Sequence, residues 1–274
     1  MQDVKRTVID GFKLLLFWIL VFDVQRILFS IHNYDKFSEI PWGEWFQAFF
    51  YSLRLDLATA GLLSLLPMLV IITGIFVKKS WHRKLFFGVM LIEIILCAMI
   101  HGGEINAYPE WNHKLNTRVF THLLNPDEVV RTADYGMTIW FVVYTLIETA
   151  IGYVLLKKLY PPKSPISKQE WYVAVPISLL LLSCFTGLFL VLGRGGVQQI
   201  PINIDAAYYS KNYVSNDLSV NSVYYFTKSF MLYNRSEIGK LFPRIPEAKS
   251  KRLLKDLYTY PRNHSVEILD NDRP

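Results

Sequence analysis

Five apolar stretches, each long enough to cross a bilayer, crowd into the first 192 residues, and residues 193–274 contain none. A hydrocarbon core about 30 Å thick needs roughly 20 predominantly apolar residues per helix. The runs 12–31, 45–77, 85–101, 139–156 and 172–192 meet that need, the second with residues to spare. Inside lipid a segment must satisfy its own backbone polar groups, so helices are the economical way for such runs to span. The expected fold is all-α: a polytopic membrane protein with five transmembrane helices over 1–192 and short amphipathic surface helices on its outer face. A polar extracytoplasmic linker over 193–274 completes the expected organisation.

The first run has the outline of a signal peptide, since Lys5, Arg6 and Lys13 precede Leu14–Phe22. No small-x-small cleavage site follows; Asp23, Gln25 and Arg26 come next and then more apolar residues, which favours a retained helix. Charged residues make up 19% of the chain, below the roughly 25% of soluble domains. The net charge of +6 resides at helix ends instead of forming a stripe among exposed aromatics, which argues against nucleic acid as a partner. Cys97 and Cys184 both fall inside spans and read as packing residues, not as a disulfide.

Loop charges set an orientation. Lys5, Arg6 and Lys13 precede the first span, Lys78, Lys79, Arg83 and Lys84 follow the second, and Lys157, Lys158, Lys163 and Lys168 follow the fourth. The intervening loops are poor in excess base: Lys36 stands against Asp35, Glu39 and Glu44, and Lys114, Arg118 and Arg131 against Glu104, Glu110, Asp127, Glu128 and Asp134. The positive-inside rule then predicts a cytoplasmic N-terminus and an extracytoplasmic C-terminus.

An outer helical insertion of about 104–137 separates the third and fourth spans. Trp111, Leu115, Val119 and Leu123 recur at helical spacing, and Asn125-Pro126-Asp127-Glu128 looks like a fresh helix start. Such helices would lie apolar side down on the membrane or pack against the bundle. In the tail, Val223, Phe226, Phe230 and Tyr233 share one helical face and 248–258 fits another short helix. With too little apolar content for a core of its own, the tail reads as a membrane-hugging linker or a stalk. It stops at Asn271-Asp272-Arg273-Pro274 without a closing element, an end that reads as a cut.

Ionisable residues inside spans are costly and mark candidate sites. Asp23 and Arg26 share a face of the first helix at i, i+3 spacing, whereas Arg54 and Asp56 point in different directions. Glu93 and Glu148 sit near the middle of the third and fourth spans, and His101 and Glu104 cap the outer end of the third. Arg54, Asp56, Arg26, Asp23, Glu93, His101 and Glu104 are the candidate residues for either a lipid head-group pocket or a structural polar network. Arg54 ranks first as a lipid contact because a guanidinium binds phosphate through a bidentate fork. No catalytic constellation stands out: the six histidines show no metal-ligand spacing, and His113 and His122, nine apart, make at best a weak metal pair.

Several segments resemble the membrane domain of the lipoteichoic acid synthase and phosphoglycerol transferase family of bacteria. They are Ser52-Leu53-Arg54-Leu55-Asp56-Leu57 with Pro67, Leu115-Asn116-Thr117-Arg118 leading to Leu124-Asn125-Pro126-Asp127-Glu128, and Arg194-Gly195-Gly196-Val197-Gln198-Gln199-Ile200-Pro201 with Asn221 further on. The resemblance implies five spans in a bacterial cell (inner) membrane and an extracytoplasmic sulfatase-like catalytic domain. In that domain a metal-activated threonine or serine takes phosphoglycerol from phosphatidylglycerol for an extracytoplasmic glycan or polymer acceptor. Nucleophile and divalent metal (Mn, Mg or Zn) belong to that domain, which is expected to begin after a stretch like Asp272-Arg273-Pro274, so this chain supplies no cofactor ligands. Phosphoethanolamine transferases and sulfatase-like hydrolases share the five-span plan. A transporter or assembly scaffold is the contrasting class, but no internal repeat of the kind transporters carry is visible.

Overall fold

The computed structural model describes residues 2–75, 81–116, 135–162, 171–235 and 246–258. Its elements are helices α1 (Gln2–His32), α2 (Tyr34–Phe37), α3 (Trp42–Thr73), α4 (Trp81–Trp111), α5 (Tyr135–Leu159) and α6 (Trp171–Arg194). A 3-10 turn at Ile204–Ala207 follows, then α7 (Tyr213–Ser219), α8 (Ser222–Arg235) and α9 (Glu247–Tyr258). No strand occurs among the described residues. α1, α3, α4, α5 and α6 are long and apolar enough to span a membrane, giving an all-α polytopic membrane fold. Of the surface helix expected over 111–124, Trp111 instead closes α4 and 112–116 are not helical, Asn112 taking a φ of 54°; the rest of it, and the helix start expected at Asn125, lie outside the described residues.

The chain divides into two compact units, Met1–Phe230 and Met231–Pro274. In the second, α9 is solvated and carries an exposed Glu247–Lys251 ion pair at i, i+4. The first contains the bundle. α1 is central: Leu14, Phe17, Trp18 and Phe22 are buried against side chains of α3, α4, α5 and α6. α4 and α5 run antiparallel, since Ile94 meets Gly152 while seven residues on His101 meets Glu148.

Two features depart from the sequence reading. α4 continues ten residues past His101, through what reads as the start of the outer insertion, because Ile105 and Tyr108 extend its buried stripe and meet Phe29 and Phe37. And residues 194–223, read as a linker or stalk, pack onto one end of the bundle as a cap. Ile202, Ala207 and Val220 close over Leu55 and Ala58, and Val214 and Leu218 join Phe29, Phe37 and Ala48. At the opposite end Lys13 donates to the Leu159 carbonyl (3.1 Å) and Arg83 to that of Tyr160 (3.2 Å).

A buried polar network under the cap

Beneath the cap lie three groups of buried charges, each tying the bundle together or to the returning chain. The first centres on Arg26. Its Nη2 reaches both carboxylate oxygens of Asp56 (3.2 and 3.1 Å), its Nη1 donates to Asp23 Oδ1 (3.0 Å), and its Nε to the Leu218 carbonyl of the cap (2.9 Å). Asn221 Nδ2 adds a third hydrogen bond to Asp56 (2.8 Å), and the guanidinium lies 5.4 Å from the Phe49 ring centre. Helix periodicity explains the choice of partner. Asp56 is 200° around α3 from Arg54, so it faces α1 while Arg54 faces away.

In the second group His101 Nδ1 meets Glu148 Oε1 at 2.6 Å and Gln25 Nε2 donates to Glu148 Oε2 at 2.8 Å, joining α4, α5 and α1. In the third, Glu104 accepts from Lys114 Nζ (2.6 Å), from the Ser222 hydroxyl (2.6 Å) and from the backbone N–H of Leu115 (3.4 Å). Lys114 also sits 4.8 Å from the Phe29 ring centre. Between the groups is a small void of about 10 Å³, lined by Gln25, Arg26, His101, Lys114, Asn221 and Ser222 among others. That is room for about one water molecule with polar neighbours on several sides, a favourable setting for a buried water.

Two further contacts pin the cap. Tyr108 Oη donates to Asp217 Oδ2 (2.8 Å), and Glu44 Oε2 accepts from the hydroxyls of Ser210 (2.8 Å) and Ser215 (2.7 Å). Burial raises the Asp217 carboxyl above its ordinary range, outweighing the attraction of Lys114 and the Tyr108 hydrogen bond.

Of the seven residues singled out from the sequence, Asp23, Arg26 and Asp56 come together, and His101 and Glu104 lie in the adjoining groups. The charged atoms of these five bond to protein groups, with the Asp23 side chain, 31% exposed, reaching the surface. Glu93 stands apart, half-buried in α4 with Oε2 lacking a hydrogen-bond partner among the described residues. Arg54 is exposed, and its one hydrogen bond among the described residues, to Gln198 Oε1, is 3.5 Å long. Gln25, Lys114, Asn221 and Ser222 complete the network; Lys114 reads in sequence as an ordinary loop charge, with nothing nearby to signal that it turns inward. Among the described residues no group of three or more His, Cys, Asp or Glu side chains could hold a metal ion. No family model, curated protein or solved structure matches this chain.

Proposed function

We propose that this chain is the membrane domain of a phosphoglycerol-type transferase in a bacterial cell membrane, with the cap end extracytoplasmic. The donor would be phosphatidylglycerol and the acceptor an extracytoplasmic glycan or polymer. The nucleophile and its divalent metal would reside in a catalytic domain beyond residues 1–274, and no step of that chemistry is assigned to residues here. The sequence resemblance supports this reading, as do the loop charges, which put the basic end opposite the cap on the cytoplasmic side.

The observation that carries it is the cap. Residues 194–223 are fastened to α1, α3 and α4 by buried charged hydrogen bonds to Arg26, Asp56 and Glu104. The chain leaving the fifth span is thus held against the bundle, as the anchor of an enzyme drawing its donor from the membrane would be. Orientation of reacting groups by a rigid support lowers the entropic cost of bringing them together.

The test uses the full-length product of the gene that encodes this chain, reconstituted into vesicles with either phosphatidylglycerol or phosphatidylethanolamine. Diacylglycerol release from phosphatidylglycerol alone, abolished by a chelator, is the expected result. Release from phosphatidylethanolamine instead would make it a phosphoethanolamine transferase. No release from either lipid would refute the transferase reading and leave a sulfatase-like hydrolase, a transporter or a scaffold.

A further inference from the structure

α6 stops short beside α3. A side-chain carbon placed on Gly61 would stand 2.8 Å from the Phe189 carbonyl oxygen, and one on Gly193 would stand 2.6 Å from Leu62. The last turn of α6 therefore lies against the middle of α3, and residues 42–60, roughly 28 Å of helix at 1.5 Å per residue, continue beyond it. Steps of 7, 11, 14 and 18 residues return to within about 40° of the same face at 3.6 residues per turn. Arg54, Phe50, Gln47 and Gly43 thus extend the stripe on which Gly61 meets α6. Gly61 is buried under that helix; the other four, past its end, are exposed.

The chain leaving α6 borders this vacated stripe. Gly195 and Gly196, at φ of 85° and 122°, turn it back, and the Ile202 N–H donates to the Arg194 carbonyl (2.8 Å) to close the neck of a loop. A side chain at Gly195 would collide with Ile202 at 2.3 Å, so the neck tolerates only glycine. Arg194 braces the loop through the carbonyls of Gln198 (3.3 Å) and Gln199 (2.8 Å). Residues 198–206 surround an open concavity of about 470 Å³, next to Arg54 through Gln198. Val197 and Ile200 at the loop tip are 92% and 76% exposed.

We propose that this notch seats the phosphate of an anionic membrane phospholipid, with Arg54 as its principal ligand and Arg194 and the Gln198 amide beside it. The buried cations Arg26 and Lys114 each have a carboxylate partner, whereas Arg54 has none among the described residues. A guanidinium on a spanning helix needs a counter-charge, and lipid phosphate is the anion a bilayer offers there. Its planar fork matches two phosphate oxygens. The lining itself holds one carboxylate, Asp205, and no cation, but Arg54, Arg194 and Lys228 stand around it, bonded to the lining residues Gln198, Gln199 and Asn203, so an anionic head group at its rim is favoured over a zwitterionic one. The acyl chains would lie along exposed Leu62, Leu66 and Leu69, and the apolar loop tip would dip into the same leaflet. This site asks only for a lipid phosphate and stands apart from the transfer chemistry proposed above.

Binding is measured on the chain purified in neutral detergent and titrated with dioctanoyl-phosphatidylglycerol, dioctanoyl-phosphatidylcholine or inorganic phosphate. The wild type should bind the glycerol lipid at least several-fold more tightly than the choline lipid, and Arg54→Ala should weaken it about tenfold. Arg54→Lys, which keeps the charge but not the fork, should fall between them. Gln198→Trp, filling the notch from an exposed position and removing the amide that Arg54 bonds, should weaken binding while both arginines stay in the chain. Lipid-free Arg54→Ala should melt within about 1 °C of wild type, since only one long hydrogen bond is lost. Unchanged lipid affinity in both Arg54→Ala and Gln198→Trp would overturn the proposal. So would inorganic phosphate binding as tightly as the glycerol lipid, or a large fall in the lipid-free melting temperature of Arg54→Ala, which would make Arg54 structural.

Discussion

Replacing Arg26 by methionine tests whether the network under the cap is held by charge pairing. The Arg26 and Asp56 side chains are 4% and 0% exposed, so Arg26→Met strands a carboxylate in the interior with the Asn221 amide as its one remaining donor among the described residues. Removing one partner of a buried ion pair costs about 3–5 kcal/mol. The Asp23 contact adds little, because that side chain is 31% exposed and pairs of that kind contribute about 0–1 kcal/mol. At about 2–4 °C per kcal/mol for a unit of this size, the melting temperature should fall by roughly 6–20 °C. The double variant Arg26→Met/Asp56→Leu removes both charges, and apolar replacement of a whole buried pair is often close to neutral. It should therefore melt above Arg26→Met alone, despite carrying one more substitution. Intrinsic tryptophan fluorescence of the four proteins of the cycle, melted in detergent, supplies the comparison. Losses that simply add, with a coupling below about 0.5 kcal/mol, would refute the account.

Three other outcomes follow from the same contacts. Gly61→Leu should separate α3 from α6 and lower the melting temperature sharply, because backbone stands 2.8 Å from the new carbon, while Gly88→Ala, with nothing within 4 Å, should be neutral or gain about 0.5–1 kcal/mol. The raised Asp217 carboxyl means the folded state favours its neutral form, so its contribution to stability is present below about pH 3.8 and lost as the pH rises through the raised value. Asp217→Asn should accordingly melt above wild type at pH 7.5, with the gap closing at pH 4; a gap independent of pH would count against burial as the cause. Reporter fusions active only outside the cytoplasm should work after Asn33, Asn116 and Asn212 and fail after Lys79 and Lys163, and activity at Lys163 would reverse the proposed orientation.

The five spans are legible in the sequence because apolar length is a local property, and each run announces itself without its neighbours. The end of α4 is not, since Gly102, Gly103, Glu104 and Asn106 look like loop residues and only Phe29 and Phe37, from elsewhere in the chain, make burial of Ile105 and Tyr108 worthwhile. The cap is hidden for the same reason. Its few apolar residues fill gaps between helices, and its polar anchors reach across 165 residues from Asn221 to Asp56 and 118 from Ser222 to Glu104.

The two arginines show most sharply where local reading ends. Arg26 and Arg54 both interrupt apolar helices, and Arg54 has an aspartate two residues away while Arg26 has one three away. Helical geometry joins the second pair and separates the first. Which arginine is left without a carboxylate then depends on two tertiary facts: that Asp56 faces α1, and that α6 ends level with Gly61 instead of running on beside Arg54. A longer α6 would have buried Arg54 against its backbone and demanded an internal partner. Its early stop leaves that guanidinium exposed, which is why the proposed phosphate site rests on this arginine and not on the buried one.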